Sequence, residues 1–157
     1  EKVKNKIPKK TKKILCLGLG ANSSHKIWPT SNYVELCNLL ANKFDTFILL
    51  GSKNEQHYSK FFKKDFNGNV IDLCGYLTII ESAAVLKMAD FFIGNDSGLG
   101  HIASATKTKS FTIFGEGSPL RYKPWGVASY FYQNHEKDIN LIDVETIYQN
   151  INKPRIL

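Results

Sequence analysis

Apolar residues in this chain form short solid runs, separated by longer segments where they recur every three or four positions. The runs are KILCLGL (13–19), TFILL (46–50), NVIDL (69–73), FFIG (91–94), KSFTIF (109–114) and SYFYQ (129–133). Runs of this length, rich in β-branched and aromatic residues, predict buried strands. Between them the spacing predicts helices. Tyr33, Leu36, Cys37 and Leu40 make one stripe, which Thr30 or Ser31 could cap. Further amphipathic segments run from about Asn54 to Lys64 and from Asp143 to Ile151, and HIASA (101–105) starts another helix. Thr78 and Glu81 have the spacing of a capping box, which opens a helix running to about Met88.

Apolar strands alternating with helices imply βαβ units. The expected fold is α/β, a Rossmann-like parallel sheet of about six strands with helices on both faces. In such sheets ligands bind beyond the carboxyl ends of the strands. The loops after the first, second and fourth strands are therefore where chemistry is expected.

The chain has 157 residues, enough for one domain with a real core, and no apolar run approaches the length of a membrane span. The net charge of +7 changes the picture only until it is located. Residues 1–13 hold seven lysines and one glutamate, so the remainder carries a net charge of only +1. Residues 1–12 read as a basic linker or tail and residues 13–157 as the folded domain. Nucleic acid is not an expected partner, because the domain is not broadly basic. Cys16, Cys37 and Cys74 show no C-x-x-C spacing and read as buried, reduced thiols of a cytoplasmic protein.

Three loops carry candidate chemistry. GLGANSSHKIWP (18–29) lacks the third glycine of a dinucleotide fingerprint, but it offers free N–H groups, hydroxyls and Lys26, which suit a phosphate. Glu55 falls in the first turn of a helix, where the dipole favours a carboxylate, and could also accept ribose hydroxyls. GNDSGLGH (94–101) places Asp96, Ser97 and His101 together, but its order is not the G-x-S-x-G of a hydrolase elbow. The adjoining aspartate also stands on the wrong side for a triad. Gly98 and Gly100 let backbone N–H groups approach an anion at a helix N-terminus, and a diphosphate fits.

The K-x-W-P of Lys26–Pro29, the G-S-x-x-E ending at Glu55, and G-N-D-S-G-x-x-H with its small-residue helix and later F-G together resemble one family. It is the ADP-heptose:lipopolysaccharide heptosyltransferases, glycosyltransferase family nine, and the resemblance covers about Lys13 to Gly126. It implies the C-terminal, donor-binding half of an inverting GT-B glycosyltransferase that moves heptose from ADP-heptose to a lipopolysaccharide core acceptor. By motif, Ser23, Ser24 and Lys26 would contact the diphosphate, with Asn22 an alternative to either serine. Glu55 would hold the ribose and Leu77 would lie against the adenine. Asp96 would bind sugar hydroxyls, while Ser97, Gly98 and Leu99 would offer N–H groups to the phosphates beside His101. Neither a metal nor another cofactor is implied.

The catalytic base would reside in an N-terminal acceptor domain that this chain lacks, so the chain alone is expected to be inactive. Contact with the inner membrane surface is a further implication. Another GT-B nucleotide-sugar enzyme, such as an epimerase, or a non-catalytic nucleotide-binding module would share these features.

Overall fold

The computed structural model describes residues 13–153; the basic stretch 1–12 lies outside them. Six strands form one sheet: β1 (Ile14–Gly18), β2 (Thr46–Leu50), β3 (Val70–Asp72), β4 (Phe91–Asn95), β5 (Ser110–Phe114) and β6 (Ser129–Gln133). Their order is β3-β2-β1-β4-β5-β6, and every pairing is parallel. The strand order reverses between β1 and β4, which opens a crevice at that point. Gly18 is level with both Leu50 and Gly94, so the loops after β1, β2 and β4 leave the same edge of the sheet.

Alternating side chains of the central strands feed two cores. Leu15, Leu17, Phe47 and Leu49 pack with Trp28, Tyr33, Leu36 and Ile147. That face is covered by α1 (Thr30–Leu40), α2 (Gln56–Asp65) and α6 (Val144–Ile151). Ile14, Cys16, Ile48, Leu50 and Phe92 pack on the other face with Val85, Leu86 and Ala103 of α3 (Ile79–Met88) and α4 (Gly98–Ala105). Each large apolar side chain buried in this way contributes about 1.5–3 kcal/mol relative to exposure.

The three cysteines are free and buried. Burial pushes the Cys16 and Cys37 thiols far above their ordinary range and Cys74 up to about 12, so all three stay protonated and unreactive at neutral pH.

Several boundaries differ from the sequence expectation. Neither Thr30 nor Ser31 caps α1; the helix starts at Thr30 with Pro29 in the cap position and no side-chain cap bond. Pro29 presets the entry angle, and its carbonyl accepts the N–H groups of Asn32 and Tyr33. The helix expected from His101 begins three residues earlier, at Gly98. The Gly/Pro-rich stretch after β5 contains a short helix, α5 (Pro119–Tyr122). Thr78 does form its box: the Glu81 N–H donates to Thr78 Oγ1 at 3.2 Å, and the Thr78 N–H donates to Glu81 Oε2 at 2.8 Å.

Candidate functional site

The crevice beyond β1 and β4 is a polar cavity of about 610 Å³. The loop after β1 supplies Ala21, Asn22 and Lys26, and the loop after β2 supplies Ser52, Asn54 and Glu55. The turn into α4 supplies Asp96, Ser97, Gly98 and His101. A second cavity of about 310 Å³ shares Ser52, Glu55, Ser97 and Gly98 with the first, and adds the apolar side chains of Leu77, Leu99 and Ile102. The two adjoin at these shared residues, one with a charged lining and the other with a largely apolar one.

Lys26, Glu55, Asp96, Ser97, Gly98 and His101 therefore share one cavity, while Leu77 and Leu99 line its apolar extension. Ser23 and Ser24 do not line it. Ser23 closes a tight turn through its carbonyl, which accepts the Lys26 N–H, and Ser24 is exposed. Asn22 takes the place on the wall.

The most consequential contact was not foreseen in the sequence. Lys26 Nζ stands 2.6 Å from Asp96 Oδ2, across 70 residues of chain. Asp96 is only 7% exposed, and that ammonium is its ion-pair partner. The Tyr122 ring lies 5.8 Å from the same nitrogen and adds a cation–π contact from α5.

The turn into α4 brings the start of a helix to the cavity wall. Ser97 holds the cap position in extended backbone, yet its side chain caps nothing, and its buried hydroxyl has no partner. Ser97 and Gly98 line the cavity, which places the start of α4, with the N–H groups a helix leaves without intrahelical partners, at its wall. Among the described residues Ser97 Oγ has no hydrogen bond to a base of the kind that activates a nucleophilic serine. A Cβ on Gly98 would meet nothing within 4 Å, which leaves this approach open.

Glu55 takes the first-turn position weighed for it. Its Oε2 accepts the Ser52 N–H at the start of the turn that leads into α2. Its other oxygen packs against Gly20, where an added Cβ would lie 2.1 Å away. The G-L-G after β1 thus has no cofactor-binding third glycine; its second glycine makes room for Glu55.

Asn95 is the residue that sequence reasoning missed. It is fully buried at the end of β4. Its Oδ1 accepts the Trp28 N–H at 3.0 Å and the Tyr33 hydroxyl at 2.9 Å. Its Nδ2 donates to the carbonyls of Leu19 at 2.9 Å and Gly20 at 3.4 Å. One amide therefore fastens both ends of the Lys26 loop to the strand that carries Asp96. Trp28 completes the anchor, with its ring edge-on to Tyr33 and Nε1–H donating to the Ile142 carbonyl at 2.8 Å. A polar residue ending an otherwise apolar strand was the available signal.

Comparison with known proteins fits this geometry. The profile of "Glycosyltransferase family 9 (heptosyltransferase)" matches residues 1–151. A lipopolysaccharide heptosyltransferase 1 of Campylobacter coli is 32% identical over 113 residues, which cover 68% of this chain and 32% of that protein. Among solved structures, the E. coli ADP-heptose lipopolysaccharide heptosyltransferase II superposes with a TM-score of 0.86 at 19% identity, over 95% of this chain and 48% of that one. An E. coli heptosyltransferase with ADP gives a TM-score of 0.81 at 20% identity, over 95% and 46%. The chain thus spans a third to a half of the length of these proteins. Its fold is that of these structures, the family profile spans nearly all of its length, and the chain belongs to glycosyltransferase family 9, the heptosyltransferases.

Proposed function

We propose that residues 13–153 form the donor-binding part of an inverting heptosyltransferase that uses ADP-heptose to extend a lipopolysaccharide core. One observation carries this reading: an ammonium and a helix N-terminus converge on a polar cavity that shares four lining residues with an apolar one. The diphosphate lies over the start of α4, with the N–H groups of Ser97, Gly98 and Leu99 and the hydroxyl of Ser97 around it. Glu55 takes the ribose hydroxyls, and the adenine enters between Leu77 and Leu99.

The acceptor hydroxyl attacks the anomeric carbon from the face opposite the diphosphate, and the bond from that carbon to the β-phosphate oxygen breaks. ADP leaves with the bonding electrons, so negative charge grows on an oxygen held by Lys26 and the α4 dipole. Fixed donors of this kind need no reorganisation as the charge develops, and each charge-assisted hydrogen bond contributes about 1.5–3 kcal/mol. Asp96 keeps Lys26 in place before the donor arrives, then turns to sugar hydroxyls once the phosphates engage the ammonium. The proton of the acceptor hydroxyl goes to a base outside this chain, in an acceptor domain of the same protein, so these residues alone do not catalyse transfer.

Such an enzyme works at the cytoplasmic side of the inner membrane, where it meets its acceptor; among the described residues no helix is long and apolar enough to cross a membrane. Calorimetric titration of the chain with ADP and UDP in EDTA tests the reading. Binding of ADP in preference to UDP, unaffected by the chelator, is expected. Equal affinity for UDP, or a requirement for magnesium, contradicts it.

A further inference from the structure

Given the proposed placement of the adenine beside Leu77 and the ribose at Glu55, on which this inference rests, we propose that Gln56 is a positioning residue for the base. Its side-chain amide sets the turn that carries Leu77 and ties that turn to the start of α2. Gln56 itself lines neither cavity. It is half-buried at the first position of α2, and its Nε2–H donates to the Cys74 carbonyl at 2.9 Å, 18 residues along the chain. Leu77 follows Cys74 by three residues and lines the apolar cavity.

The turn between β3 and α3 is pressed against the start of α2. Gly75 has a φ of +79°, in the left-handed region that favours glycine, and its N–H donates to the Gly51 carbonyl at 2.9 Å. A Cβ there would lie 2.8 Å from Gln56 Nε2 and 2.9 Å from Lys53 Cα. The Tyr76 N–H closes the turn on the Leu73 carbonyl at 3.2 Å. Just before the turn, Asp72 accepts the Ser59 hydroxyl at 2.9 Å and the Cys74 N–H at 3.1 Å, which fixes the end of β3. Gln56 then holds the carbonyl of the same Cys74, where the chain leaves the strand for the cavity.

Glu55 packs at this point as well. A Cβ on Gly51 would meet Glu55 Oε2 at 3.0 Å and Cys74 Sγ at 3.3 Å, so the carboxylate and the turn lie against one glycine. Successive residues thus serve the two halves of the nucleoside. Glu55 lines both cavities, while Gln56 holds the backbone that leads to Leu77. Without its donor the Cys74 carbonyl gains by reaching water, and the turn shifts with it. A purine extends further from the ribose than a pyrimidine does, so the position of that wall matters more to ADP than to UDP.

The test is calorimetric titration of the full chain and its variants with ADP and with UDP, beside thermal melts. Q56M keeps the length of the side chain and removes the donor, whereas Q56K keeps a donor. The parent should prefer ADP. Q56M should lose about two- to tenfold in ADP affinity, the span of one net hydrogen bond, with UDP affinity unchanged. Q56K should keep the parent's ratio of ADP to UDP affinity. In Q56M/L77A the loss of ADP affinity should not exceed that of L77A alone, because Gln56 acts through Leu77. Several results overturn the proposal while the donor-site reading stands: a lower melting temperature in Q56M at an unchanged ratio, equal losses of both nucleotides, a Q56K as unselective as Q56M, or additive losses in the double variant. A parent indifferent to the base, or an L77A that binds ADP like the parent, overturns both.

Discussion

Lys26 and Asp96 form an ion pair across the mouth of the cavity, with Nζ 2.6 Å from a carboxylate that is nearly buried. The two residues belong to different loops, and the ion pair ties those loops together. Their roles separate in a double-mutant cycle. Lys26→Ala should weaken ADP binding by about 1.5–3 kcal/mol and lower the melting temperature, because Asp96 is left buried and unpaired. Asp96→Asn should tighten ADP by up to about tenfold, about 1.4 kcal/mol, by removing a like charge beside the diphosphate, yet weaken ADP-heptose. The double variant should recover the melting temperature but not ADP affinity. Equal losses of ADP and ADP-heptose in Asp96→Asn, in step with stability, would reduce Asp96 to a scaffold residue.

Asn95 touches no cavity space, yet it positions the Lys26 loop. Asn95→Ala leaves the Trp28 N–H, the Tyr33 hydroxyl and the Leu19 carbonyl without their partner. Each buried orphan costs about 1–3 kcal/mol, so a loss of at least about 2 kcal/mol in denaturant unfolding is expected. ADP affinity should fall as well, although no contact to the nucleotide is removed. An unchanged affinity in the folded variant would mean that the loop holds its shape without Asn95.

Two glycines should respond differently to alanine. At Gly20 the new Cβ meets the Glu55 carboxylate, the end of a flexible side chain that can move aside. Gly20→Ala should thus leave stability nearly intact while weakening nucleotide binding through displaced Glu55. At Gly115 the Cβ would lie 2.5 Å from the His25 carbonyl and 2.8 Å from the Ile139 Cβ, neither of which can yield without moving backbone. Gly115→Ala should lower the melting temperature clearly. Melting curves paired with ADP titrations distinguish the two.

Acid should weaken the fold through two carboxylates outside the cavity. The Thr146 N–H at 2.6 Å and its hydroxyl hold Asp143, the cap of α6, below the usual range. At Asp72 burial opposes the charge, but the Lys63 ammonium at 2.6 Å and hydrogen bonds from the Cys74 N–H and the Ser59 hydroxyl outweigh it. Both groups titrate lower folded than unfolded, so their stabilisation is complete above the ordinary carboxylate value of about 3.9 and fades as pH falls through the folded values. Urea midpoints measured at falling pH should drop less steeply in Asp143→Asn than in the parent. Identical slopes would show that the cap does not couple to protons.

The six strands and the shared edge of their loops were legible because solid apolar runs and turn residues punctuate this chain strongly. TFILL and KSFTIF became β2 and β5, and the loops holding Lys26, Glu55 and Asp96 meet at one cavity. Long-range polar partners were not legible. Nothing in the spacing of Lys26 and Asp96 says that they pair, and an asparagine ending a strand looks like any turn former until its four partners are seen. The start of α1 was misjudged because Trp28 anchors Pro29 from the core, and tertiary packing then sets the helix entry in place of a capping hydroxyl.

The central claim is that the two adjoining cavities together hold the adenosine diphosphate of the donor. A crystal structure of the chain with bound ADP tests it most directly. The account predicts phosphate oxygens within hydrogen-bond reach of Lys26 Nζ, Ser97 Oγ and the N–H groups of Gly98 and Leu99, with the ribose at Glu55 and the adenine beside Leu77. ADP bound elsewhere, or bound while Lys26 stays paired with Asp96 and Ser97 Oγ stays unpartnered, would contradict it.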